Sequence, residues 1–152
     1  MMWMMTVLAC SIARPFEGPG IEGGQVITEA DGPFLVAATH AKPASGQGKA
    51  FDEHVREIQD ELQAMTEEDG LVGFSLRASL VSHDRWTMTV WTSEEAMDAF
   101  VLGDAHMSAL VEAPTLLEVG AFAHWEESDP DELPPSWDRA LDELDDAENV
   151  YE

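Results

Sequence analysis

Residues 71–91 read LVGFSLRASLVSHDRWTMTVW. From Leu71 to Ser82 apolar residues alternate with small or polar ones. Val72, Phe74, Leu76, Ala78 and Leu80 fall on one side, and Gly73, Ser75, Arg77 and Ser79 on the other. A period of two is that of a half-buried strand. Arg85 to Trp91 alternates again, with Trp86, Met88 and Val90 set against Thr87, Thr89 and Trp91. His83-Asp84 supplies a short polar turn between the two, so the stretch predicts an antiparallel hairpin.

On both sides of the hairpin the period changes. Before the hairpin, Phe51, Val55, Ile58, Leu62 and Met65 step by four and three, which is one apolar stripe on an amphipathic helix. Gly70, after a run of acids, is a natural stop. After the hairpin, Thr92 and Glu95 have capping-box spacing, and Ala96, Met97, Phe100 and Val101 form a second stripe. Gly103 breaks it. Asp104 can cap a short helix carrying His106, Met107, Leu110 and Val111, which Pro114 is expected to end. Residues 34–41 (FLVAATHA) and 115–126 (TLLEVGAFAHWE) read as a first and a fourth strand.

The resulting class is α+β with a ferredoxin-like β-α-β-β-α-β order and an antiparallel sheet. Its helices cover one face. The other face must meet solvent, a ligand or a second subunit, and hiding it by two-fold pairing predicts a homodimer.

The flanks differ in character. Residues 1–33, with Pro15, Pro19 and several glycines, read as an irregular extension holding a short strand near residues 25–28. The start, MMWMMTVLAC, is apolar but too short to span a bilayer, and Val7 to Cys10 only faintly resembles a lipoprotein cleavage box. Residues 34–126 form the predicted domain. Residues 127–152 form an acidic tail. In it Ser136 is a candidate N-cap, and Trp137, Ala140, Leu141 and Leu144 make a short amphipathic helix before a frayed end.

The chain has 152 residues, 31 Asp and Glu against 7 Lys and Arg, and a formal net charge of -24. That charge argues against nucleic acid and anionic membranes as partners. It matches the surface of proteins from a high-salt cytoplasm, and cytoplasm is the expected compartment. One cysteine, Cys10, excludes an intrachain disulfide.

Several pieces together resemble antibiotic-biosynthesis-monooxygenase-like domains of the dimeric α/β-barrel superfamily. Thr87 to Ala96 is similar to their T-x-x-x-W-x-S-x-x-A segment, Gly70 to Phe74 to the entry of their second strand, and Ala99-Phe100 with Ala105-His106 to their helical stretch. The likeness covers roughly residues 34–126, and Pro134-Pro135-x-Trp137 is similar to the tail of some bacterial relatives. It implies a homodimer whose sheets pair as a barrel, and an activity among cofactor-free oxidations of quinol-type molecules or haem degradation. Haem degradation is not expected. Its Asn–Trp–His set has no asparagine counterpart in 34–41, Phe100 replaces the helix tryptophan, and His106 comes a turn early.

The residues themselves nominate a small-molecule pocket from Ser75, Thr87, Thr89 and Trp91, with Arg77 and His106 as catalytic candidates. The guanidinium suits a developing anion, and the imidazole suits a general base. A structural reading stands beside each. Thr and Ser can line an interface, Trp91 can be core, and His106 can cap a helix. His40, His106 and His124 lack metal-ligand spacing, so neither a metal nor a cofactor is expected. His54 and His83 read as exposed. Two functions stay open: oxidation of an aromatic or quinol-type small molecule without a cofactor, or a non-enzymatic homodimer that binds an apolar ligand or is purely structural.

Overall fold

Where the sequence alternates the chain is extended, and where its apolar residues recur every three or four positions it is helical. A computed structural model describes residues 10–151. Its elements are β1 (Ser11–Ala13), β2 (Ile21–Glu22), β3 (Gln25–Val26), β4 (Phe34–Pro43), α1 (Gly48–Ala64), β5 (Leu71–Ser79), β6 (Arg85–Trp91), α2 (Glu94–Val101), α3 (Asp104–Leu116), β7 (Leu117–Glu127) and α4 (Trp137–Asp145). The apolar start and most of the lipoprotein-like box lie outside the described residues.

The main sheet has the order β1-β5-β6-β4-β7. The ferredoxin-like core is its β5-β6-β4-β7 part, all antiparallel. Beta1 extends the β5 edge, with Ile12 opposite Ala78. The irregular extension is thus more regular than its composition suggests. The strand expected at residues 25–28 is β3, which pairs with β2 in a separate two-stranded piece.

One residue decides which side chains share a face. Leu71 lies opposite Trp91 and Gly73 opposite Val90, so Val72 is an extra residue in β5. Beyond this bulge Phe74 faces with Thr89, and Leu76 with Thr87. Val72 points the other way, with Val90 and Met88. The grouping of Val72 with Phe74, and of Ser75 with Thr87, is therefore corrected. Simple alternation fails across a bulge because the count slips by one. Gly73 is needed there, since a Cβ on it would come within 2.5 Å of Ile21.

Two cores result. Under α1 and α2, Leu35, Ala37, Leu71, Phe74 and Trp91 pack against Leu62, Met97 and Phe100. On the opposite face, Val36, Ala38, Val72, Met88, Val90 and Trp125 are covered by Ala140 and Leu144 of α4, with Trp137, Phe16, Ile21 and Val26 packed around them. The face expected to await a partner is covered by the chain's own two ends. Among the described residues, the apolar face from which a homodimer was inferred is thus covered at Val36, Val72, Met88 and Val90.

Several ends differ from expectation. Ser93, not Thr92, caps α2, its hydroxyl accepting from the N–H of Ala96, while Thr92 donates its hydroxyl to the Gly70 carbonyl. Alpha3 runs through Pro114 to Leu116, because a proline in the last turn removes a single helical hydrogen bond. Beta5 ends at Ser79, whose hydroxyl accepts from the N–H groups of Val81 and Ser82 and starts the loop early. The tail does not fray after α4. Val150 N–H donates to the Gly120 carbonyl, and Asn149 Oδ1 accepts from the Gly120 N–H at 2.9 Å.

Candidate functional site

The helix-side face of the sheet is a grid set by strand register. Thr39, Thr87 and Leu76 lie in one row, with Phe122 opposite Thr39 on the β7 side. The next row toward the closed end holds Ala37, Thr89 and Phe74, and the one beyond it Leu35, Trp91 and Leu71. Helices α1 and α2 press onto the last two rows. Over the first, they leave a cavity of about 620 Å³ roofed by α1 and α3. Its lining is mostly apolar, as small-molecule sites usually are.

The sheet contributes a short chain of hydroxyls. Thr39 and Thr87 hydrogen-bond to each other through their hydroxyls. The buried indole N–H of Trp91 donates to Thr89 Oγ1 at 2.8 Å. In the strand 34–41, Thr39 is the polar residue on the cavity side, and sequence reasoning passed over it.

The roof contributes two imidazoles. His106 stands on the first turn of α3, and its ring meets Phe100 edge-on at 5.4 Å, while Phe100 lies 5.3 Å from Trp91. His106 Nδ1 is buried with no hydrogen-bond partner among the described residues. Burial lowers its pKa from the ordinary 6.5, so the ring is neutral at neutral pH. His54 is not the exposed helix residue expected. Its side chain is 13% exposed and lines the same cavity. His54 Nε2 lies 3.1 Å from Glu112 Oε2 on α3. Its Nδ1 is buried without a hydrogen bond among the described residues, 3.8 Å from Glu57 Oε2. Spacing held the signal, because His54 falls three after Phe51 and four before Ile58, on the edge of the apolar stripe.

The nominated residues divide accordingly. Thr87, Thr89, Trp91 and His106 meet around the cavity. Ser75 lies on the opposite face, donating its hydroxyl to the Arg14 carbonyl at 2.6 Å and accepting from the Trp137 indole at 3.0 Å. Arg77 shares that face. Its guanidinium is 5.9 Å from the Trp86 ring and 5.8 Å from the Trp137 ring, and its Nε donates to Ser11 Oγ. It borders the cavity while its donors and π partners serve the tail contact. The three histidines weighed as metal ligands are apart in role. His40 pairs with Asp84 at 2.6 Å, His124 stacks on Phe122, and His106 stands in the cavity roof. Among the described residues, no group of three or more His, Cys, Asp or Glu is placed to hold a metal ion. None of their helices is long and apolar enough to cross a membrane.

Residues 34–112 match the family described as antibiotic biosynthesis monooxygenase. Among solved structures, PA3566 from Pseudomonas aeruginosa superposes with a TM-score of 0.56 at 14% identity, over 64% of this chain and 96% of that one. Rv0793 from Mycobacterium tuberculosis does so with a TM-score of 0.55 at 15% identity, over 63% and 96%. A Fusobacterium nucleatum protein named as a candidate monooxygenase gives 0.58 at 10% identity, over 75% of this chain and 48% of that one. At these identities the likeness speaks to the fold. No curated protein matches the sequence.

Proposed function

The chain belongs to the antibiotic biosynthesis monooxygenase family, and on that premise we propose that its cavity oxidises an aromatic or quinol-type small molecule with dioxygen and without a bound cofactor. The observation that carries this reading is His106, a buried and neutral imidazole whose Nδ1 has no partner, set in an apolar cavity beside Phe100 and Trp91.

The chemistry balances with the residues present. A ring methylene flanked by phenolic or keto groups loses a proton to His106, and the carbanion is delocalised over the ring. The carbanion donates an electron to dioxygen, and the radical pair closes a C–O bond to give a peroxide anion. The O–O bond then breaks as the remaining C–H proton passes to the outer oxygen, leaving a carbonyl and hydroxide. His106 returns its proton to the departing hydroxide, which leaves as water. The methylene loses four electrons and dioxygen gains four, so no other reductant is needed. The Thr39–Thr87 hydroxyl pair is suited to hold a phenolic oxygen. The apolar walls keep water from the carbanion. Arg77, nominated for the anion, is occupied by Trp86, Trp137 and Ser11, so His106 carries the proton step.

The test is oxygen uptake by the intact chain with an anthrone-type or naphthoquinol substrate. Turnover is expected, and His106→Gln should reduce kcat/KM by about 10²–10⁴-fold. Saturable binding of the substrate with no oxygen consumption would replace this reading by the non-enzymatic ligand-binding one.

A further inference from the structure

The lining of the cavity has a charge unlike that of the rest of the chain. The chain holds 31 acids and 7 bases. Among the residues that line the cavity are three arginines, Arg14, Arg77 and Arg85, and a single carboxylate, Asp98. A chain at -24 therefore has a cavity wall with an excess of two positive charges among its arginines and carboxylates.

We infer that the molecule bound in this cavity is an aromatic carboxylate, its fused rings between sheet and helices and its carboxylate held at the mouth by Arg14 and Arg85. The inference rests on the reading of this cavity as the substrate site.

Register places both residues on the cavity side. Arg85 lies opposite Ala41 and Ala78, two residues along β6 from Thr87 and so on the same face. Arg14 N–H donates to the Leu76 carbonyl, which sets it beside Leu76 at the β1 edge of the Thr39–Thr87 row. Arg14 is exposed, and no carboxylate lies within ion-pairing distance of it among the described residues. Arg85 has one acidic partner, Asp52 at 3.4 Å, itself half exposed. So exposed a pair is weak and readily exchanged for a better-placed carboxylate. Guanidinium groups bind carboxylates in a two-pronged fashion that fixes orientation as well as charge. The field of the whole chain repels anions at long range, so selectivity for one must come from these local groups. A volume of about 620 Å³ suits two or three fused rings better than a single ring.

The experiment titrates anthraquinone-2-carboxylate and, separately, its neutral carboxamide into the full chain at one fixed salt concentration, following quenching of tryptophan fluorescence and the heat of binding. The carboxylate should bind about 10-fold or more tightly than the amide, a factor worth roughly 1.4 kcal/mol. Arg14→Gln and Arg85→Gln should each weaken the carboxylate more than the amide and so erode that preference, while Arg14→Lys should retain part of it. Equal affinity for acid and amide overturns the inference and leaves the cavity reading intact. Failure of both probes to bind overturns the two together. A preference that survives both glutamine variants assigns the anion to another group and overturns the roles given to Arg14 and Arg85.

Discussion

The indole N–H of Trp137 donates to the hydroxyl of Ser75 at 3.0 Å, across 62 residues of sequence. The same hydroxyl donates to the Arg14 carbonyl. One small side chain, 1% exposed, thus ties the acidic tail and the N-terminal segment to the middle of the sheet.

Ser75→Ala removes both bonds and leaves a half-buried indole N–H and the Arg14 carbonyl without their partner. Each such bond contributes about 0.5–1.5 kcal/mol. The expected outcome is a loss of about 1–3 kcal/mol in denaturant unfolding, with amide exchange in residues 137–145 accelerated more than in β4. Uniform acceleration throughout would mean that the hydroxyl supports the sheet rather than the tail.

Alpha4 stands where a second subunit's sheet was expected. Leu144 is buried against the apolar face of Val36, Met88 and Val90. Leu144→Asp puts a charge into that contact, and lifting the helix away uncovers a patch of the size that drives association. Sedimentation should show the intact chain as a monomer and the variant with doubled mass at micromolar concentration. A dimeric intact chain would mean that another surface pairs.

The hairpin, the helix stripes and the tail helix were legible because each is a local periodicity. The faces were not, because the extra residue Val72 looks like any other apolar strand position and yet reverses every side chain before it relative to those after it. The same slip separated Ser75 from Thr87. The amphipathic pattern of residues 137–144 showed that the helix docks, but not onto which face. His54 was missed because a histidine among Glu53, Arg56 and Glu57 reads as surface, although its spacing from Phe51 places it beside the buried stripe.

Salt dependence tests the meaning of the acidity. At a net charge of -24 the folded chain repels itself, and molar salt shortens the reach of that repulsion to about 3 Å. The melting temperature should rise steadily from no added salt to molar salt. A flat profile would mean that the acids are spread too thinly to interact.

The pH profile tests His106. Its pKa is lowered by burial, so its neutral, proton-accepting form persists below pH 6.5. The kcat/KM of the proposed oxidation should therefore hold its plateau down through 6.5 and fall only at lower pH. The sign for stability is the same. The unfolded chain binds the proton more readily, so His106 favours folding above 6.5 and loses that contribution as pH falls through its folded value. An acid limb centred above 6.5 would assign the proton transfer to a different group.

Glu61 supplies the opposite sign. Desolvation raises its pKa from 4.5, Asp104 adds to the rise, and its Oε2 is buried with no hydrogen-bond partner among the described residues. The folded chain holds this proton more tightly than the unfolded one. Glu61 therefore favours folding below 4.5, and the contribution is lost as pH rises through the folded value. At neutral pH the ionised carboxylate faces Asp104 without compensation. Glu61→Gln keeps the shape and removes the charge, so the melting temperature should rise by roughly 1–2 °C at neutral pH. The gain should shrink to nothing as the pH is lowered below 4.5, where the native side chain is protonated as well. A gain that is the same at both pH values would come from packing, because the charge on Glu61 is present in only one of them.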